Sequence, residues 1–416
     1  MTITFPVKKV LTKEFVWLFF LLGTVFTLPF KLNINNLFIL GFFISSLSFL
    51  WQNRGIKNIK INQYLVVLWL WCLWNIISVF WSDDLSQAFN VISRQLLYFI
   101  LSLSFLFSAS AISPIVFRRI LQYFIYGCLF TTITCLVNAL FNVYDYGSIN
   151  PFNKVNGNFF SYFNLTDFLG IHPIYLAFQV LFAVSLLIYH LLYKKLLSFS
   201  KVQSVIIILY FLVVLMLLNS FVMFFNLIIV VVCFLFLIKS IQAKLFLLAL
   251  VAFPVIGFSS FLVEKFKSVH IREDIVQTDF SGENFTALKA RVAKYHGTIT
   301  VINDNFWIGV GIGDMQPALM EGYKAIGFQH GIEKKYNSHN QYMSEMLKSG
   351  VVGLLLFFIV LYRQFLTAFR RQDILPVIFI ITSCVFFLTE SVLERQMGIA
   401  LFAFFTILFS FKTDKR

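Results

Sequence analysis

Charged residues are scarce in this sequence. Lys, Arg, Asp and Glu make up 12% of its 416 residues, against about 25% in a soluble domain. Hydrophobic residues make up 59%, and the mean hydropathy is +0.84. Because charged side chains form much of a water-facing surface, this composition excludes soluble enzymes, fibres and disordered chains. The sequence therefore predicts an all-α polytopic membrane protein.

Cysteine and metal-ligand patterns are also sparse. The five cysteines (Cys72, Cys128, Cys135, Cys233 and Cys384) all lie in predicted membrane spans, which excludes an extracellular disulfide framework. Four of the six histidines lie between the ninth and tenth spans, but their spacing fits no standard ligand set (His270, His296, His330 and His339). We therefore expect neither a metal nor a cofactor.

About twelve apolar stretches fill most of the chain. Several approach the ~20 residues that a bilayer crossing needs, and a helix satisfies every backbone polar group within lipid. They lie at approximately 15–30, 36–51, 64–81, 95–112, 118–141, 172–193, 203–218, 221–238, 244–262, 350–367, 374–390 and 397–411. The first lacks a small-residue cleavage site and is interpreted as a retained span. Residues 1–263 would form helices 1–9, 264–349 one large loop, and 350–416 helices 10–12.

Basic residues give this arrangement an orientation. One set of alternate connections holds 19 of the 33 Lys and Arg residues but only Glu14, Asp373 and Asp414 as acids. The positive-inside rule places that set and both termini in the cytoplasm, and the 264–349 loop on the outside. The net charge of +14 is then a topology signal and a contact with bilayer lipids, and no nucleic-acid partner is expected.

The large outside loop is the segment most suited to chemistry, since long loops in compact proteins are usually functional. A first helix is predicted from about Ala287 to Ile302, with one apolar stripe formed by Leu288, Val292, Tyr295, Ile299 and Ile302. Off that stripe, Arg291, Lys294 and Thr298 are positioned to face a polar cavity. A second helix is predicted over 315–325.

A glycine-rich stretch precedes the second helix at 309–314. No Gly-Lys-Ser/Thr follows it and no βαβ pattern precedes it, so it is neither a phosphate loop nor a dinucleotide fingerprint. A flexible turn at the membrane and a direct ligand contact both remain open.

A third helix is predicted to start at Ser338 and end at Gly350. Ser338 would cap it, and Gln341 would complete a capping box. His339 would then lie in the first turn, where the helix dipole favours the neutral imidazole and exposed backbone N–H groups favour an anion. A neutral imidazole can accept a proton, although a simple polar cap with an incidental histidine explains the same residues.

Charged side chains also lie at the outer ends of predicted spans. Glu390, Glu394 and Arg395 lie between the last two spans, where they would face a cavity or pair with one another to fix the helix hairpin. Arg94 follows Asp83 and Asp84, a pattern that also fits a solvated turn.

His172 begins the sixth span beside Pro173. Proline is a common first residue of a helix, so His172 can be either an active group or only part of a helix start.

Four segments together resemble a known family. They are Ala290-Arg291 with Tyr295 a turn later, the run 305–314, the run Tyr336-Asn337-Ser338-His339-Asn340-Gln341-Tyr342, and Lys348-Ser349-Gly350-Val351-Val352-Gly353. This order, and the hydropathy profile with one large late outside loop, resemble the O-antigen ligase and O-antigen polymerase family of bacterial membrane glycosyltransferases.

The resemblance implies metal-independent glycan transfer at the periplasmic face of the inner membrane. The donor would be a glycan on undecaprenyl diphosphate, and the acceptor either lipid A–core or a second lipid-linked glycan. By resemblance, His339 would be the base and Arg291 would bind the diphosphate. We add as candidate donor or substrate ligands Asn340, Lys294, Arg395, Glu390, His172 and Arg94. Members often carry Ser-Arg near the start of span eight, whereas this chain has Ser220-Phe221.

Two other functions remain open from the sequence. Twelve spans with both ends inside are also a common transporter layout, although the long loop is late rather than central. The missing arginine at Phe221 also fits a non-catalytic assembly subunit.

Overall fold

A computed structural model describes residues 12–52, 61–145, 159–193, 196–250, 252, 280 and 287–411 of the chain. Within these residues the regular secondary structure is entirely helical, as the sequence predicted. The two termini and most of 251–286 lie outside the described residues, and so do His270 and most of the predicted ninth span.

The helices follow the apolar stretches closely. In chain order they are α1 Lys13–Thr27, α2 Leu32–Ser46, α3 Ser48–Gln52, α4 Gln63–Ile77, α5 Leu85–Phe107, α6 Pro114–Asp145, α7 Tyr162–Thr166, α8 Pro173–Tyr193, α9 Lys201–Leu217, α10 Phe221–Leu237, α11 Ile241–Leu250, α12 Ala287–Asp304, α13 Met315–Ala325, α14 Gln329–Glu333, α15 Gln341–Arg370, α16 Ile374–Phe387 and α17 Gln396–Phe411. The separation predicted between α9 and α10 is present, with Asn219 in the left-handed region at φ 49°.

Six helical segments of the described chain are long and apolar enough to cross a bilayer: Leu32–Leu50, Gln63–Trp81, Leu85–Phe107, Pro114–Asp145, Pro173–Tyr193 and Gln341–Arg370. Five shorter apolar helices accompany them, namely α9, α11, α16 and α17 together with Phe221–Phe236. The chain is thus a polytopic helical membrane protein. The count of twelve spans, their orientation and the domain limits at 263 and 349 stay predictions.

The described residues form two compact units, of which the first lies within 12–61, 99–220 and 403–411. Aromatic rings fill its core: the Phe405 ring lies 4.9 Å from Phe124 and 4.8 Å from Phe182, centroid to centroid, both edge-on. Edge-to-face geometry of this kind adds to the burial energy of each ring.

The described part of the second unit lies within residues 62–98 and 221–402. Here α15 packs against α4 and α16, α16 packs against α10, and α12 packs against α13. Trp71 of α4 and Phe357 of α15 meet at 5.2 Å in the core. All the candidate site residues except His172 belong to this unit.

A kink divides α15. Ser349 and Gly350 have non-helical dihedrals, and Gly350 has φ 66°, a conformation that only glycine adopts without strain. The backbone of Trp307 and Ile308 packs directly on Gly350, and a Cβ atom there would collide with the Trp307 carbonyl oxygen. The predicted end of the third loop helix at Gly350 coincides with this kink.

Candidate active site

Helix α12 presents a different buried face from the one predicted. The side chains of Ala293, Lys294 and Thr298 are buried, whereas Ile299, predicted in the apolar stripe, is 44% exposed. The prediction of that stripe was wrong because small residues decide the packing. Gly297 lets α13 approach so closely that a Cβ atom on Gly297 would collide with Tyr323. Thr298 therefore faces no polar cavity, and its hydroxyl donates to the Lys294 carbonyl oxygen.

The start of α15 also differs from the prediction. The N-cap is Asn340, whose side-chain oxygen accepts from the backbone N–H groups of Tyr342 and Met343 at 3.0 and 3.2 Å. The capping box of Ser338 and Gln341 was therefore wrong. His339 precedes the cap, with φ 49°, and does not lie in the first helical turn.

The imidazole of His339 pairs with a carboxylate. Its Nδ1 lies 3.1 Å from Oε2 of Glu390, which is 6% exposed. With the carboxylate ionised, this contact places the proton of a neutral imidazole on Nδ1 and leaves Nε2 as a proton acceptor. The His339 side chain is 27% exposed, so a substrate can reach it. Glu390 therefore contacts a residue 51 positions away, outside its own hairpin.

Lys294 brings positive charge to the same place. Its ammonium lies 4.5 Å from the centroid of the Tyr336 ring, and that ring lies 6.1 Å from the His339 ring. Burial and the neighbouring Arg291 lower the pKa of Lys294 to about 8, while Glu390 opposes that shift. Lys294 thus interacts with both the exposed Arg291 and the carboxylate that holds His339.

Hydrogen bonds between serine hydroxyls connect the start of α15 to the turn between α16 and α17. Ser338 and Ser344 lie 2.9 Å apart, and Ser391 lies 3.2 and 2.9 Å from them, respectively. All three are buried. The Ser338 hydroxyl is hydrogen-bonded within this cluster, which explains why Ser338 is not the helix cap.

The carbonyl oxygen of Leu388 joins three segments. It accepts from the Tyr295 hydroxyl of α12 at 2.9 Å and from the Asn340 side-chain amide at 3.3 Å. Arg291, Lys294, His339 and Glu390 are therefore carried by segments fixed to one another.

A buried ionic network lies along α15 beyond this site. Lys348, 1% exposed, lies 2.8 Å from Glu345 and 3.4 Å from Glu394. Three further groups donate to the Glu345 carboxylate, namely Gln341 Nε2 at 2.9 Å, Trp71 Nε1 at 3.0 Å and Asn75 Nδ2 at 3.4 Å. Sequence reasoning missed this network. The only local signal was a pair of opposite charges three residues apart.

The remaining predicted residues occupy other environments. The Arg94 guanidinium donates to the carbonyl oxygens of Glu394 and Asn90, so it braces the hairpin that carries Glu390. Arg395 is exposed. His172 belongs to the first unit, where its ring lies 4.7 Å from Phe163.

Within the described part of the chain, no three His, Cys, Asp or Glu side chains are arranged to hold a metal ion.

Two comparisons with known proteins bear on the family of this chain. A search of curated proteins found no match. The family model for O-antigen ligase matches residues 204–358, a region that includes Arg291, Lys294, His339 and Asn340 but not Glu390. The resemblance to the O-antigen ligase family predicted from the sequence is thus confirmed over residues 204–358.

Proposed function

We propose that the protein is a membrane glycosyltransferase that moves a glycan from an undecaprenyl-diphosphate donor to a sugar hydroxyl of lipid A–core, at the periplasmic face of the bacterial inner membrane. The observation that carries the proposal is the His339–Glu390 pair beside Lys294. The match to the O-antigen ligase family supports the reaction class.

In this reaction the acceptor oxygen attacks the anomeric carbon of the donor sugar. The bond between that carbon and the diphosphate oxygen breaks, and its electron pair leaves with the diphosphate. Nε2 of His339 takes the proton of the acceptor hydroxyl. Glu390 holds the imidazole in the tautomer that can do so and stabilises the imidazolium that forms.

Cations stabilise the leaving diphosphate. Lys294 supplies a buried ammonium and Arg291 an exposed guanidinium, whose fork can make two contacts with a phosphate. A diphosphate is already a good leaving group, so positioning and charge stabilisation carry most of the rate. We propose that these side chains, without a metal, neutralise it.

The other candidates have secondary roles in this proposal. Asn340 positions His339, because its side chain is used by the helix cap and by Leu388. Arg395 is proposed as a further donor contact. Donor or substrate binding by Arg94 and His172 remains a prediction from the sequence.

The test is transfer by purified variants supplied with lipid-linked glycan and acceptor. His339→Ala, Arg291→Ala and Glu390→Gln should each abolish or strongly reduce transfer at unchanged protein level. His296→Ala is a matched control, since His296 is exposed on the same helix as Arg291. Wild-type transfer by both His339→Ala and Arg291→Ala would contradict the assigned roles.

A repeat-unit polymerase is the alternative within the same family, with a second lipid-linked glycan as acceptor. The glycan profile of a deletion strain separates the two. Free lipid-linked polymer accumulates if a ligase is lost, whereas a single repeat unit on the core indicates a lost polymerase. Substrate flux into vesicles that contain no acceptor would instead indicate a transporter.

A further inference from the structure

A second candidate site lies in a cavity of about 990 Å³ within the second unit. One wall is the end of the Gln63–Trp81 segment and the turn after it, with Trp81, Asp83 and Asp84. The other wall is the chain from Asp304 to Pro317, including Trp307. The proposed chemistry at His339 uses none of these residues.

The aromatic lining is unusually accessible. Trp307 is 71% exposed and Phe306 is 43% exposed. The indole N–H of Trp81 is shielded from solvent, yet it has no hydrogen-bond acceptor among the described residues. A buried indole N–H normally has an acceptor, so Trp81 is a polar group without a partner in the described chain, beside accessible aromatic surface.

Four carboxylates line the cavity, and two of them accept hydrogen bonds from backbone N–H groups of the protein. Asp314 accepts from the backbone N–H groups of Asp83 and Asp84 at 2.6 and 2.8 Å. Asp84 in turn accepts from the Gln87 backbone N–H at 2.9 Å. The side chains of Asp83 and Asp304 are exposed, and none of the lining residues is Lys, Arg or His.

We propose that this cavity binds neutral or amino sugars of the glycan, at a distance from its diphosphate. An indole face packs against the C–H face of a sugar, while carboxylates accept hydrogen bonds from its hydroxyl or ammonium groups. The uncompensated acids repel phosphate and uronic acids. The assignment rests on the proposed function for the identity of the glycan as substrate.

The backbone connects this cavity to the His339 site. The N–H groups of Val310 and Gly311 donate to the carbonyl oxygens of Leu347 and Lys348 at 2.9 and 3.1 Å. The helical stretch 341–348, roughly 12 Å long at 1.5 Å per residue, lies between His339 and these two hydrogen bonds. An extended glycan can then place its diphosphate beside Lys294 and a more distant sugar in the acidic cavity.

Exposed aromatic residues also occur at membrane interfaces, where they contact lipid headgroups. Four aspartates around the same cavity disfavour contact with anionic headgroups, and a polar glycan satisfies them. We therefore assign the aromatic surface to a sugar and keep the lipid contact as an outcome of the test.

The test is saturation-transfer NMR on the full chain in phosphatidylcholine nanodiscs. The probes are chitopentaose, its fully deacetylated form and pentagalacturonate, which are neutral, cationic and anionic at one length. We expect signal from the first two and little from the third. Trp307→Ala and Asp304→Asn should weaken binding at least about tenfold. Trp307→Phe, which retains an aromatic ring if alanine prevents folding, should bind more strongly than Trp307→Ala.

Two control variants should bind like wild type. Phe80→Ala removes an 86% exposed aromatic residue outside the cavity lining, and Glu321→Gln removes an exposed acid outside it. Absence of signal from all three probes overturns the assignment. So does equal binding by wild type, Trp307→Ala and Asp304→Asn. If Trp307→Ala inserts less well into the bilayer but binds sugar as wild type does, Trp307 contacts lipid and the sugar assignment is overturned.

Failure here is distinguishable from failure of the proposed function. Sugar binding by a protein that transfers no glycan would refute the function and keep the sugar site. Normal transfer by Trp307→Ala and Asp304→Asn, combined with no sugar binding by wild type, would refute the site and keep the function.

Discussion

The ammonium of Lys294 should make glycan transfer fall at alkaline pH. The side chain is 8% exposed, and burial together with Arg291 lowers the pKa of Lys294 to about 8 against the opposing effect of Glu390. A diphosphate binds the protonated ammonium more strongly than the neutral amine. Raising the pH through about 8 therefore removes a charge that the proposed donor site needs.

The size of the effect follows from this pKa. The protonated fraction of Lys294 falls from roughly 0.9 at pH 7 to roughly 0.1 at pH 9, so kcat/KM for the donor should fall about tenfold. Lys294→Arg should remove this alkaline limb, because a guanidinium stays protonated and can stack on the Tyr336 ring. Lys294→Met should be slow at every pH.

The assay is the initial rate of transfer by purified protein at limiting donor between pH 6 and pH 10. Lys324→Arg is the matched control, since Lys324 is an exposed lysine that pairs with Glu321 at 3.6 Å, and it should keep the wild-type profile. If Lys294→Arg shows the same alkaline limb as wild type, Lys294 is not the titrating group and the reasoning fails.

Two stability predictions follow from buried features of the second unit. Lys348→Met should lower the free energy of unfolding by about 3–5 kcal/mol, since it leaves Glu345 buried without its cation. In SDS unfolding, the double variant with Glu345→Gln should recover much of this loss. No recovery would contradict the pairing of Lys348 with Glu345. Gly350→Ala should lower the apparent Tm more than Gly170→Ala. Both glycines have φ 66°, but Gly350 has ψ −167°, a conformation essentially restricted to glycine, whereas Gly170 has ψ 28°. In addition, a Cβ atom would collide only at Gly350, with the Trp307 carbonyl oxygen. Equal losses would contradict this expectation.

Local patterns predicted the helices well because hydropathy and helix limits depend on neighbouring residues. The predicted second loop helix, 315–325, agrees with α13, Met315–Ala325. The position of Gly350 at a break also followed from sequence. Local preference failed at the start of α15, where Ser338 and Asn340 are both good caps. The contact of Ser338 with Ser391, 53 residues later, decided between them.

For the site residues, too, the sequence predicted the chemical groups but not the contacts between them. His339, Lys294, Arg291 and Glu390 could each be proposed from chemistry and family resemblance. That Glu390 holds His339, 51 residues away, was not visible in either segment.

The sequence by itself determined that this is a helical membrane protein with a region similar to the O-antigen ligase family, because composition, apolar runs and short motifs are local properties. Only the tertiary structure decided which face of α12 is buried, which carboxylate orients His339, and that Lys348 is buried between Glu345 and Glu394. These depend on close contacts between residues distant along the chain, where the size of one side chain or the position of one oxygen atom determines which groups meet.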